Sequence, residues 1–291
     1  MGFGKITVGP DSVTLIVGIK TGTSIQLLSD TRISHPDVTQ VEEIPGRLKI
    51  VILRPNLCVG YAGRANYAID TVRTLASAAH VSAAQATATL QAANVESRRE
   101  IDFLVACTEP ALSLIAIQDG HATEVGNEAW IGDADGAQAY LRFKQSLPVP
   151  QDLSEIDERL VRTITGFSQI VTERTVPTVA GLVIRAGSTM NGFSYLPEAR
   201  AYCPKQSIPS GIETALHFGR AAEGGFAYTL LVPTVPGQPL LAVHFYQGSL
   251  GYVYAPLQAD RPVEVTNVTH AGLCAFVLKE YGIEVEGVKV G

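Results

Sequence analysis

The 291-residue sequence lacks the short signatures that mark most cofactor and metal sites. It has no GxGxxG and no GxxxxGKS or GxxxxGKT, so the common nucleotide-binding loops are excluded and no cofactor is expected. Its four cysteines, Cys58, Cys107, Cys203 and Cys274, form no CxxC, and its six histidines form no HExxH. No metal is expected, and the cysteines read as unpaired thiols of a reducing compartment. There is no Lys/Arg run and the net charge is −6, which argues against a nucleic-acid partner, because phosphate binding needs clustered cations. No apolar run reaches the length of a membrane span. The opening residues MGFGKITVGPDS show no basic segment followed by an apolar one. A cytoplasmic protein with no membrane partner is the expectation.

What is present is core material: 46% of residues are hydrophobic and 17% charged. Thr14–Ile19 and Ser24–Leu28 are short β-branched runs joined by Thr21-Gly22-Thr23, which reads as a hairpin. A polar loop follows from Ser34 to Gly46, then strands at Leu48–Leu53 and Leu57–Tyr61. From Ala65 to His80 the apolar residues fall at helical spacing, and Ser82 is placed to cap a second helix reaching about Arg98. Strands are expected at Phe103–Cys107, Leu112–Ile117, His121–Val125 and Ala129–Ile131, with a tight turn at Asp119-Gly120. Helices are expected at 136–144 and 152–173, the latter burying Leu153, Ile156, Leu160, Ile164, Phe167 and Val171, and then a strand at Val179–Arg185. Beyond about 187 come a Pro/Gly-rich stretch at Ser207–Gly211, strands at Gly225–Val232, Leu240–Tyr246 and Gly251–Tyr254, and a helix at Thr269–Tyr281. Two strand blocks, each followed by a helix pair, fit an α+β fold with two face-to-face antiparallel sheets and helices outside. Residues 1–13 read as an N-terminal extension or propeptide, 14–186 as the core, and 187–291 as a C-terminal extension packed on the same domain.

Four segments in order carry a family resemblance: Thr14-Leu-Ile-Val-Gly-Ile-Lys20, Leu28-Ser-Asp-Thr-Arg32, Leu48-Lys49-Ile50 and Gly60-Tyr-Ala-Gly63. Together they resemble the first half of a proteasome β-subunit, an Ntn hydrolase, and the resemblance extends over about residues 14–185. It implies a four-layer α/β/β/α Ntn-hydrolase sandwich. It also implies a threonine-type peptidase or amidohydrolase acting on peptide or other amide substrates, and a homo-oligomer, with a ring possible. Thr14 would be the nucleophile once cleavage after Val13 frees its amine as base. Lys49 would lower the pKa of the hydroxyl, Asp30 would hold Lys49, and the Gly63 amide would meet the oxyanion. Arg32 would support that network, Ser34 and Ala65 would hydrogen-bond an extended peptide, and Tyr61 would line the specificity pocket.

The sequence departs from the family at three places. Val13 stands where catalytic members carry glycine. Gly132-Asp-Ala-Asp-Gly136 replaces a Gly-Ser-Gly-type turn, and Glu173–Gly181 lacks the family's Asp and Ser. These departures fit a second reading, a non-catalytic homologue serving as an assembly or binding subunit. A third is a small-molecule amidase with the extension as a lid.

Overall fold

A computed structural model describes residues 14–34, 41–42, 44–148, 153–173, 175–202 and 226–288. The proposed extension at 1–13, Cys203 and the Ser207–Gly211 stretch lie outside the described residues. In chain order the elements are β1 (Leu15–Lys20), β2 (Ile25–Ser29), β3 (Ile33–Ser34), β4 (Val41–Glu42), β5 (Ile50–Arg54), β6 (Leu57–Gly63), α1 (Ala65–Ser77) and α2 (Ala83–Glu96). There follow β7 (Ile101–Cys107), β8 (Ser113–Gln118), β9 (His121–Val125), β10 (Glu128–Gly132), α3 (Ala134–Ser146) and α4 (Glu155–Glu173). The last are β11 (Ile184–Thr189), β12 (Gly192–Tyr195), β13 (Ala199–Tyr202), β14 (Phe226–Pro233), β15 (Leu241–Phe245), β16 (Leu250–Tyr254), β17 (Val263–Thr266), α5 (His270–Tyr281) and β18 (Val285–Gly287). The fold is mixed α+β.

Three larger antiparallel sheets form among the described residues. The first has the order β10-β1-β2-β11-β12 and the second β5-β6-β7-β8-β9. The apolar run of β1 is buried on both faces, as expected of an interior strand. Alternation along it decides what each side chain meets. Ile16 joins a core shared with Ile50, Ile52, Cys58, Leu104 and Leu114 of the second sheet. Leu15, Val17 and Ile19 face the opposite way, onto Tyr140 of α3 and Phe167, Ile170 and Val171 of α4. The outer side of the second sheet does the same with α1 and α2, burying Val51, Val59, Phe103 and Val105 against Ile69, Val72 and Leu90.

The third sheet runs β13-β14-β15-β16-β17, with β18 also on β14. Tyr228, Leu230, Val243, Phe245 and Tyr252 enter the same core as the first two sheets. On its other face Leu231, Ala242 and Val253 pack with Leu273 and Val277 of α5. A backbone bond ties it in further: Gly237 N–H, between β14 and β15, donates to Phe193 O of β12 at 2.8 Å.

Local chemistry fixes the helix starts. Ser82 and Gln85 form a reciprocal capping box at α2, and Thr269 caps α5 by accepting from Gly272 N–H. The Asp119-Gly120 turn has both residues at positive φ, as a two-residue hairpin requires. Two expectations need correction. The strand expected at Val179–Arg185 begins only at Ile184, because the preceding backbone bonds to the end of β2 instead: Arg32 N–H donates to Ala180 O, and Leu182 N–H to Thr31 Oγ1. Leu153 and Ile156, expected to be buried, are 37% and 44% exposed. Close contact with α3 begins further along α4, where Arg162 reaches the carbonyls of Lys144 and Leu147, and the first turn lies before it.

Candidate active site

β1 and β2 are antiparallel neighbours, so the start of one lies beside the end of the other. Thr14 immediately precedes β1 and is 4% exposed; Asp30 immediately follows β2 and is wholly buried. The Asp30 carboxylate accepts from the Leu15 amide at 3.4 Å and the Arg32 amide at 3.1 Å. Ala180 N–H approaches it at 3.5 Å. Lys49, one residue before β5 and 3% exposed, places its Nζ 3.1 Å from both Asp30 oxygens. One carboxylate oxygen thus stands between the Thr14–Leu15 peptide and the Lys49 ammonium.

Lys49 is held from the second sheet. Tyr61 donates its backbone N–H to Lys49 O at 3.0 Å and its hydroxyl to Leu48 O at 2.9 Å. That hydroxyl bond anchors a side chain that is 1% exposed and packed among the α1 contacts of the second sheet. Burial pushes the Asp30 carboxyl above its usual range and the Lys49 ammonium below its own. Their attraction opposes both shifts, as do the amides of Leu15 and Ala180 on Asp30, while Arg32 and Arg47 push Lys49 further down.

Thr14 is fixed on its other side by the turn at Gly132–Gly136. Asp133 N–H donates to Thr14 O at 2.7 Å, and the Asp133 side chain caps α3 through Gly136 N–H at 2.6 Å. Gly132 has φ +95, and a Cβ there would lie 2.1 Å from Thr14 O. Glycine is therefore needed for the strand to pass this close to Thr14.

No protein-family model matches the chain, and no curated protein matches it either.

The remaining expected residues are distributed as follows. Gly63 ends β6 with φ +96, and a Cβ there would stand 2.0 Å from Glu100 O. The backbone demands this glycine whatever its amide does. Arg32 is adjacent to Asp30 through its amide. Ser34 lies in β3, whose backbone pairs with β4 at Ser34↔Val41. Ala65 is the first residue of α1, where an N–H has no partner within the helix. Asp30 and Lys49 are in direct contact, Tyr61 bonds the Lys49 backbone, and the Leu15 amide joins Thr14 to the group.

The sequence reading passed over Asp102. It pairs with Ala62 across β6 and β7, takes a hydrogen bond from Gln118 Nε2 at 3.3 Å, and also accepts from the Gly132 amide. Burial raises its carboxyl to about 6. Its signal was visible: a single acid in the apolar run Ile101-Asp-Phe-Leu-Val-Ala-Cys107.

Chemically, the group can hold a positive charge beside the Thr14–Leu15 peptide without water around it. An ammonium in that place lowers the cost of forming an alkoxide nearby.

Proposed function

We propose that the chain is a threonine-type Ntn hydrolase, a peptidase or amidohydrolase resembling a proteasome β-subunit, activated by exposing Thr14. The observation that carries this reading is the wholly buried Asp30 carboxylate, which joins Lys49 to the peptide following Thr14. The fold supports it: two antiparallel sheets share a core and each carries a helix pair on its outer face, in keeping with a four-layer α/β/β/α sandwich. In the proposed reaction Lys49 favours the Thr14 alkoxide, the freed α-amine takes the proton, and the Gly63 amide receives the oxyanion. Arg32 supports the charge network, Ser34 and Ala65 align the peptide, and Tyr61 lines a specificity pocket. A homo-oligomer and a reducing, cytoplasmic setting belong to the same proposal. Cys58, Cys107 and Cys274 are free thiols, and no helix among the described residues is long and apolar enough to cross a membrane.

The test is to remove residues 1–13 so that Thr14 becomes the amino terminus. Hydrolysis of a peptide-amide library is expected to appear and to vanish in Thr14→Ala. A truncated protein that folds but cleaves nothing removes the enzyme reading. A second reading, a non-catalytic assembly or binding subunit, is favoured by Val13 before Thr14 and by the loop at 175–183, where the Ala180 backbone amide is what approaches Asp30 among the described hydrogen bonds. That reading gains if the truncation stays inert.

A further inference from the structure

On β7, Leu104 and Ala106 enter the core between the first two sheets, and Asp102 shares their face. Its cross-strand neighbour Ala62 has its Cβ 3.0 Å from where a Cβ on Gly132 would stand, and Thr14 O lies 2.1 Å from the same point. Asp102 therefore reaches from the second sheet to the part of the first that touches Thr14.

The ladder between β1 and β10 shows what it reaches for. β10 is the terminal strand of the first sheet. Asp133 N–H donates to Thr14 O, and Lys20 N–H to Asn127 O, both at 2.7 Å. Bonded and non-bonded pairs alternate in an antiparallel ladder, so Leu15 and Gly132, which stand opposite each other, form a non-bonded pair. Their amides point away from one another. The Leu15 amide turns to Asp30, and the Gly132 amide turns to Asp102. Two carboxylates thus hold the strand pair from opposite sides, one residue from Thr14.

Stability alone does not account for the second carboxylate. β6 presents Ala62 to it, β8 Gln118 and β10 Gly132, all uncharged, and the charge that reaches it is the repelling one of Asp119. Burial and that repulsion raise the carboxyl to about 6, so its ionised form at neutral pH is disfavoured by folding. What ionisation provides is acceptors. The Gln118 Nε2 and the Gly132 amide both donate to this group, and protonation would turn one of its oxygens into a donor.

We propose that Asp102 is a positioning residue: by accepting the Gly132 amide it seats the Gly132–Asp133 turn against the Thr14 carbonyl and so sets where Thr14 stands. The second sheet then fixes Thr14 from both sides, through Lys49 and Asp30 on one and through Asp102 on the other. That the seated residue is a nucleophile rests on the hydrolase reading above; the seating does not.

Nuclear magnetic resonance on the full chain tests the seat without turnover. The Gly132 and Asp133 amides and the Thr14 carbonyl carbon are expected to titrate together, with one midpoint at about 6. In Asp102→Asn, which keeps a single acceptor oxygen, all three should stay flat near the acid end point of the parent. In Asp102→Leu the Gly132 amide should exchange with solvent about ten-fold faster or more, and the Thr14 signal should move. Repeating the titration in Asp133→Asn, which keeps the α3 cap, removes the Asp133 carboxyl from the window. A midpoint missing from the parent, one that persists in Asp102→Asn, or a Thr14 signal unmoved in folded Asp102→Leu overturns the proposal. If Asp102→Leu fails to fold, the parent and Asp102→Asn titrations still decide it. In a truncated chain that cleaves peptides, Asp102→Leu should lower kcat about ten-fold or more with KM little changed. Asp102→Asn should lower kcat less, although it is the more stable protein. An active truncated chain whose kcat is unchanged in Asp102→Leu also overturns the positioning role. A shared titration in a chain whose truncated form is inert keeps the seat and removes the hydrolase.

Discussion

Asp30 and Lys49 are expected to behave as one unit, and the consequence of separating them can be bounded. In Asp30→Asn the Lys49 ammonium is left buried without its carboxylate. It need not stay charged, because it can release its proton. At pH 7 that release costs about 5 kcal/mol, at about 1.4 kcal/mol for each unit below the ordinary lysine value of 10.5. In Lys49→Met the carboxylate is stranded instead and can take up a proton, at about 4 kcal/mol from its ordinary 3.8. Both limits match the roughly 3–5 kcal/mol seen when one member of a buried pair is removed. In the double variant no charge remains. The amides of Leu15 and Arg32 lose part of their acceptor in both Asn variants, so that loss cancels in a double-mutant cycle. A coupling of about 3 kcal/mol is expected. Urea unfolding followed by Trp130, the single tryptophan, measures it, since that residue lies in β10 beside β1. The sign with pH is also set. In folded Asp30→Asn, Lys49 loses its proton below the ordinary lysine value, so the unfolded chain binds more protons and stability recovers as pH rises toward 10.5. Losses that add within about 0.5 kcal/mol, or single variants that lose less than about 1 kcal/mol, would refute the reasoning.

Two further outcomes test the surroundings. Asp102 has a carboxyl raised to about 6 from 3.8, so the folded chain binds its proton more tightly, and this contribution is lost as pH rises from about 4 to 6. Asp102→Asn should match the parent near pH 4 and exceed its stability by up to about 3 kcal/mol at pH 7, in parallel urea titrations; a constant difference across that window contradicts the assignment. Gly132→Ala forces a Cβ to 2.1 Å from Thr14 O at φ +95 and should lose at least about 3 kcal/mol. Gly126→Ala, with nothing within 4 Å, should stay within about 0.5 kcal/mol and serves as the control.

Periodicity made the regular elements legible. The Thr14–Leu28 hairpin, the helix from Ala65, the Ser82 cap and the Asp119-Gly120 turn all rest on interactions within a few residues, which local pattern records. The expected strand at Val179–Arg185 was misplaced because its residues are apolar for packing while their amides serve Asp30 and Thr31. Nothing local to that segment announces a partner 150 residues away. Exposure of Leu153 and Ile156 was hidden too, since helical spacing says which residues share a face but not where the supporting element begins.

The Asp30–Lys49 pair bears on function because stability alone explains it poorly. A buried ion pair rarely outperforms two well-packed apolar side chains, since the cost of removing both charges from water consumes most of their attraction. Here the pair sits within an apolar frame that could accept such a replacement: Leu15, Leu28, Leu48 and Ile50 beside it are all buried. What the charged version adds is position. Asp30 fixes the amide that follows Thr14, and Asp133 fixes the Thr14 carbonyl. With both groups held from neighbouring strands, cleavage before Thr14 would expose an amine on a residue already anchored, with an ammonium one carboxylate oxygen away. In the proposed hydrolase the arrangement would be preorganised but silent while the Val13–Thr14 peptide is intact. A scaffold would need neither the lysine nor its alignment with that peptide.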